Sequence, residues 1–395
     1  MRRWILLTGM GAVAITAATI LPLSRRTPTD APAPPAASGA IAYRPAPLPV
    51  AASPVADEAF ARLIARISEP GGYFDTDNLI SNEASYLHVM GDMRRNGVQG
   101  GAYIGVGPDQ NFSYIANVQP RIAFILDIRR DNLLEHLLFK ALFAMAPTRV
   151  EYLSHLFARP SPPDPEEYDA DIEPILAWID DQPADPDYFE RIAALVGDTI
   201  RTFGVPLTDD DHATIRRFHA AFFAAGLNLR FTSFGRSPRF YYPSYRQLVL
   251  ETDTDGRRAN WLVSRDTYRT VRTMQLENRI VPVVGDLAGS HALREIGEVL
   301  RERGDSLSAF YASNVEFYLM QDGNFEQFAT NLAALPSHAN AVLIRSVFGR
   351  AYAHPRTISG YYSTQLLQNL PSMIRLFREG ALGSYGDLVY RGYLR

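Results

Sequence analysis

The chain has 395 residues, 47% of them hydrophobic, enough apolar mass for one large domain or two small ones. Its 39 basic and 43 acidic residues, net charge −4, give no basic surplus of the kind a nucleic-acid partner needs. The absence of Cys excludes disulfides, thiolate metal sites and a cysteine nucleophile together.

Met1-Arg2-Arg3 precedes an apolar run from Trp4 to Leu23. At about 1.5 Å per residue this run spans roughly 30 Å, enough for a membrane helix. The paired arginines resemble a twin-arginine signal, the type that exports folded proteins, so residues 1–26 read as an export signal or a membrane anchor. Arg25-Arg26 matches the charge on the near side, so charge gives no orientation. The localisation expected is the cell envelope, with membrane contact through this segment if it is uncleaved. Residues 27–56, rich in Pro and Ala, read as an extended linker, and the folded part is expected over 57–395.

Before the first strand, Pro70-Gly71-Gly72 is a turn and Ser81-Asn82-Glu83 reads as a helix start with Ser81 or Asn82 capping. Asp75, Asp77, Asn82, Glu83 and His88 are candidates for the mouth of a site.

The stretch Gly101–Asn132 then reads strand, glycine turn, helix, strand, acid. Ala102 to Val106 is an apolar run, Gly105-Val106-Gly107 is a turn against which a ligand can lie, and Asp109 to Val118 is helical. Arg121 to Leu126 is a second apolar run ending at Asp127, which follows Gly105 by 22 positions. That separation is close to the roughly 20 residues that bring an acid to the ribose of a nucleotide on the first turn of a parallel sheet. Gln110 stands where a dinucleotide motif has its third Gly, and Asp109 would repel a phosphate at the helix start. A phosphate-free adenosine ligand therefore fits better than NAD(P). Taken alone, the two glycines favour a tight turn before a buried helix; strand, turn, helix, strand and terminal acid together favour the ligand site.

Leu133 to Met145 carries Leu134, Leu137, Leu138, Ala141 and Leu142 at helical spacing, a core stripe. From about 146 to 275 the strand and helix alternation is interrupted by a mainly helical insertion, with helices over Asp187–Phe203 and Asp209–Ala225. The run Phe231 to Arg246 holds Tyr241, Tyr242 and Tyr245 beside Arg236 and Arg239. It is either a substrate lid or a packed Tyr-rich loop over the sheet edge.

Asn278 to Gly289 is a third strand ending in Gly285-Asp286, Ser290 to Arg303 an amphipathic helix, Ser306 to Leu319 a fourth strand region, Phe325 to Leu335 a helix and Asn340 to Phe348 another strand. Strands alternating with helices predict an α/β, Rossmann-like, mostly parallel sheet.

At these motifs the chain resembles class I S-adenosylmethionine-dependent methyltransferases, over about Gly101–Lys140 and Asn278–Phe348. More narrowly, YIGVGPDQNFSYIA, FILDIRRDN, VPVVGDLAG and FYASNVEFYL resemble an uncharacterised bacterial group with this methyltransferase-like fold. The resemblance implies a small-molecule ligand, S-adenosylmethionine or a related adenosine compound. It puts Gly105 and Gly107 against the methionine part, Asp127 on the ribose, Asp286 on the adenine, and Ser313 and Asn314 beside the transferred methyl. Asn314 and Glu316 are the polar groups available for catalysis there; alternatively Asn314 caps the next turn and Glu316 is solvated. The Asn-Pro-Pro-aromatic motif of amino-group methylation is absent. Two readings follow: a methyltransferase of unassigned substrate, or a non-catalytic envelope-tethered binding or scaffold protein. The eight His form no H-E-x-x-H spacing, so no metal site is expected, and no G-x-S-x-G elbow is present.

Overall fold

A computed structural model describes residues 57–168, 170–234, 239–349 and 354–394. The expected signal or anchor (1–26) and linker (27–56) lie outside the described residues. Six strands form one sheet: β1 (Ala102–Gly105), β2 (Ile122–Asp127), β3 (Ile280–Val284), β4 (Leu307–Ser313), β5 (Ser337–Phe348) and β6 (Ser363–Asn369). Their order is β3-β2-β1-β4-β5-β6, all pairs parallel except the antiparallel β5 and β6. The chain is thus α/β, with a mostly parallel sheet of Rossmann-like arrangement.

The helices are α1 (Asp57–Ile67) and α2 (Met90–Arg95) before the sheet, α3 (Gln110–Val118) between β1 and β2, and α4 (Arg130–Met145) after β2. Then follow α5 (Arg149–Leu156), α6 (Ile172–Asp181), α7 (Pro186–Arg201), α8 (Asp209–Ala225), α9 (Tyr245–Leu250) and α10 (Arg265–Leu276) before β3. The rest are α11 (Ala292–Arg303), α12 (Val315–Gln321), α13 (Phe325–Ala334), α14 (Leu370–Arg378) and α15 (Tyr385–Tyr390). Among the described residues no helix is long and apolar enough to cross a membrane.

Strands β1 to β4 are apolar almost without alternation because helices cover both faces of a parallel sheet. In β2, Phe124, Ile125 and Leu126 are fully buried, and each such side chain contributes about 1.5–3 kcal/mol. α4 is buried nearly all round rather than along the expected stripe, since it packs on β2 and β3 on one side and on α7, α8 and α10 on the others. Aromatic edges lock these layers together: Phe112 of α3 meets Trp261 at 5.4 Å and Phe143 of α4 at 5.5 Å.

The expected helix start at Ser81–Glu83 is not found. Residues 84–89 form consecutive turns, and the first helix there begins at Met90. The Ser81 hydroxyl accepts from the Glu83 N–H at 3.1 Å, a local turn that satisfies the backbone without a helix. Strand β6, unforeseen in the sequence, pairs as an antiparallel edge on β5.

Candidate functional site

The segment before α2 crosses the carboxyl ends of β2 and β3. The Glu69 N–H donates to Val284 O at 3.0 Å and the Gly72 N–H to Ile128 O at 2.7 Å. Beneath it lies a cavity of about 350 Å³ at the carboxyl edge of the sheet, where open α/β folds bind ligands. The covering segment contributes Phe74, Asp75, Asn82 and Glu83 to its wall, and the strand ends contribute Gly107, Asp127, Asp286, Ser313 and Asn314.

Five of the seven site residues expected from the sequence therefore meet in one cavity, and two do not. Gly105 sits below the turn. A Cβ there would lie 1.9 Å from Asn111 Oδ1, because the Asn111 side chain fills that space. Asn111 Nδ2 donates to the carbonyls of Val106 (2.9 Å), Gly107 (3.1 Å) and Pro108 (2.8 Å), and the Tyr103 hydroxyl donates to Asn111 Oδ1 at 2.7 Å. The glycine makes room for the post that shapes the turn. Gly107 lines the cavity with φ +82°, a left-handed backbone that glycine adopts without strain.

Glu316 is the second departure. On α12 and its C-cap, Val315, Tyr318, Leu319 and Asp322 share the face toward the cavity, at the i, i+3, i+4, i+7 spacing of one helical side. Glu316 points elsewhere and is 1% exposed, as is its partner Arg345. Arg345 Nε donates to Glu316 Oε2 at 2.6 Å and Nη2 to Oε1 at 3.1 Å. A carboxylate so engaged is neither solvated nor placed to take a proton from a ligand in the cavity. Asn314 stays at the cavity wall, and its side chain does not cap α12.

The two acids of the nucleoside pattern differ in what holds them. Asp127 is gripped by Arg129, whose backbone N–H (2.9 Å) and Nε (3.1 Å) reach Oδ1 while Nη2 reaches Oδ2 at 2.9 Å. Arg129 Nη1 also donates to the carbonyls of Thr76 (2.8 Å) and Asp77 (2.7 Å) in the covering segment. Asp286 Oδ1 accepts from the Ala288 N–H at 2.9 Å, and its own N–H donates to Glu69 Oε1 at 2.7 Å.

Glu83 forms the floor on the β4 side. The Tyr311 hydroxyl donates to Oε2 at 2.7 Å, and Ser313, Ser346 and Gln365 also donate to the carboxylate. Burial pushes its carboxyl above the usual range, and these donors pull the other way. Ser313 adopts a left-handed backbone, φ +52°, that a non-glycine residue takes at some cost and that accompanies its bond to Glu83. Five carboxylates line the cavity, those of Asp75, Glu83, Asp127, Asp286 and Asp322, against one guanidinium, that of Arg129.

Other expected residues lie apart. Asp77 pairs with Arg217 at 2.8 Å. His88 packs edge-on against Tyr361, with ring centroids 4.4 Å apart. Of the Tyr-rich run, Phe231 and Tyr242 line the cavity, whereas Tyr241 stacks on Tyr362 at 3.7 Å and Tyr245 is buried, donating to Asp109 Oδ2 at 3.0 Å. Arg236 lies outside the described residues. Gln110, Tyr311 and Gln365 escaped the sequence reading as site residues. Only Gln110 carried a signal, as the residue in place of the third Gly.

No group of His, Cys, Asp and Glu arranged to hold a metal occurs among the described residues. None of the curated proteins matches the chain. A protein family described as "Domain of unknown function (DUF7790)" matches residues 79–161 and 214–380, more than half of the chain. The matched segments carry all six strands and every cavity-lining residue except those from Tyr73 to Asn78. The chain belongs to this family.

Proposed function

We propose that the cavity binds S-adenosylmethionine or a related adenosine ligand. The observation that carries this reading is the convergence of Gly107, Asp127 and Asp286, from the ends of three neighbouring strands, on one cavity. Each carboxylate oxygen accepts two hydrogen bonds; Arg129 leaves one position on Asp127 Oδ2 for a ribose hydroxyl, and Asp286 Oδ2 has no partner among the described residues. The acidic lining disfavours phosphate-bearing ligands, and hence dinucleotides.

On this reading Ser313 and Asn314 orient what lies beside the β4 end, and Glu316 serves the fold. A second reading, a non-catalytic binding or scaffold protein with the same fold, is favoured by the engagement of Glu316 with Arg345, which leaves Asn314 as the sole polar group of the expected catalytic pair at the cavity. Calorimetry with S-adenosylmethionine, S-adenosylhomocysteine and adenosine tests the ligand class, and no heat with any of them removes it. Transfer of a labelled methyl group to a component of a cell extract separates enzyme from binding protein. The cell envelope remains the proposed location, checked by fractionating cells that express the full chain.

A further inference from the structure

Among the described residues, the β4 side of the cavity presents hydrogen-bond acceptors and no Lys, Arg or His. Gln110 is 6% exposed, lines the cavity, and its Oε1 accepts no hydrogen bond. Its amide orientation is set by Nε2, which donates at 3.5 Å both to Val106 O and to the Tyr311 hydroxyl. That same hydroxyl donates onward to Glu83 Oε2. Gln110 and Glu83 are therefore neighbours across one tyrosine hydroxyl. Among the described residues no Lys, Arg or His pairs with Glu83, and its donors come from the neutral side chains of β4, β5 and β6. Three of those donors converge on Oε2, whereas Ser313 alone reaches Oε1.

We propose that Glu83 and Gln110 form a subsite for an organic ammonium group. Such a group brings up to three N–H donors and one positive charge. Oε1 of Gln110 lacks a donor, Oε1 of Glu83 takes one of the two a carboxylate oxygen accepts, and among the described residues the buried carboxylate lacks a countercharge. A phosphate, or a carboxylate with no ammonium beside it, would instead meet like charge. The subsite deepens the nucleoside reading and rests on the cavity being a ligand site. Asp127 and Asp286 stand at the β2 and β3 ends, and Glu83 stands toward β4, β5 and β6. The ammonium belongs either to an amine acceptor bound beside the nucleoside or to the amino-acid tail of an S-adenosylmethionine-like ligand.

The test is calorimetry on the full chain with 1,4-diaminobutane and its neutral counterpart 1,4-butanediol, and with S-adenosylmethionine and 5′-methylthioadenosine, which lacks the tail. Glu83→Gln and Gln110→Met are compared with the parent, with melting temperature as the control for folding. Losing one charge-assisted bond should weaken an ammonium ligand by about tenfold or more, while the neutral counterpart changes little. Saturable binding of the diamine and not the diol, weakened in either variant, supports an amine acceptor. A preference for S-adenosylmethionine over 5′-methylthioadenosine that disappears in either variant supports the tail. Equal binding of diol and diamine with no variant effect on the nucleoside preference overturns the subsite, as does failure of every charged probe to bind. Should the diamine bind and both nucleosides fail, the nucleoside reading falls and the subsite stands.

Discussion

Arg129 closes on the carboxylate of Asp127 two positions before it, with Nη2 2.9 Å from Oδ2, and ties the end of β2 to the segment that covers the cavity. The pair is largely withdrawn from water, with side chains 6% and 12% exposed. Removing one partner of a buried pair strands the other charge, at about 3–5 kcal/mol. Asp127→Ala should cost an amount in that range by urea unfolding at pH 7, and Asp127→Ala with Arg129→Met should cost less than the sum of the two single changes. Additive costs would mean that the two side chains do not act as a unit. In the same Asp127→Ala protein, adenosine affinity should fall by at least about tenfold.

Glu316 and Arg345 make the complementary case, a pair that serves the fold. Arg345 Nη1 also donates to Gln368 Oε1 and Leu388 O, at 2.6 and 2.9 Å, so the pair ties α12 to β6 and the C-terminal helix. Glu316→Gln should lower stability by about 3 kcal/mol or more and leave ligand affinity unchanged. A variant of parental stability with lost affinity would return Glu316 to the site.

The two glycines of the turn should respond differently to alanine. Gly107→Ala forces a side chain onto a left-handed backbone, at about 1–2 kcal/mol. Gly105→Ala drives a methyl into Asn111 and threatens the three carbonyl bonds that Asn111 makes, so a cost above about 2 kcal/mol is expected. Denaturant midpoints of the two variants give the order directly, and the reverse order would remove Asn111 as the support of the turn.

Acidity supplies a further check through Asp109, whose carboxyl is pushed up to about 7 by burial, with the Tyr245 hydroxyl bond opposing. Its unfolded value is 3.8, so the native state holds the extra proton between about pH 4 and 7, and the stability it contributes is lost as pH rises through that window. Asp109→Asn removes the effect. Its stability relative to the parent should climb with pH by up to about 1.4 kcal/mol per unit from pH 4 to 7 and then level off. His136 and His219, both lowered to about 4 by burial, act with the opposite sign in parent and variant alike and so cancel from the difference. A flat difference would place Asp109 among ordinary surface acids.

What could be read from the sequence was the part in which local pattern and tertiary role coincide. The apolar runs at Ala102, Ile122, Ile280 and Leu307 are strands because strands buried on both faces need continuous apolar side chains, and the acids that end β2 and β3 follow from the repeat of the unit. β6 was hidden for the same reason in reverse. Its Gln365 and Gln368 are buried, which a pattern of apolar faces does not anticipate, because they serve Glu83 and Arg345, residues distant in sequence. Nearness to β4 points Glu316 at the cavity, although one helical step of about 100° turns it away from the cavity face of α12. Arg129 looks like a charge at a helix start, and only the fold brings the carbonyls of Thr76 and Asp77 to its far side.

Glu83 and its partner Gln365 stand 282 positions apart. On the ribosome that separation is time: at about 5–20 residues per second, roughly a quarter of a minute to a minute passes between synthesis of the carboxyl and of its last donor. During that interval a nascent chain can pair β1 with β2 but cannot finish the cavity floor, which waits for the edge strand β6. Competence to hold a ligand at Glu83 therefore begins only once β6 has been made and has paired with β5.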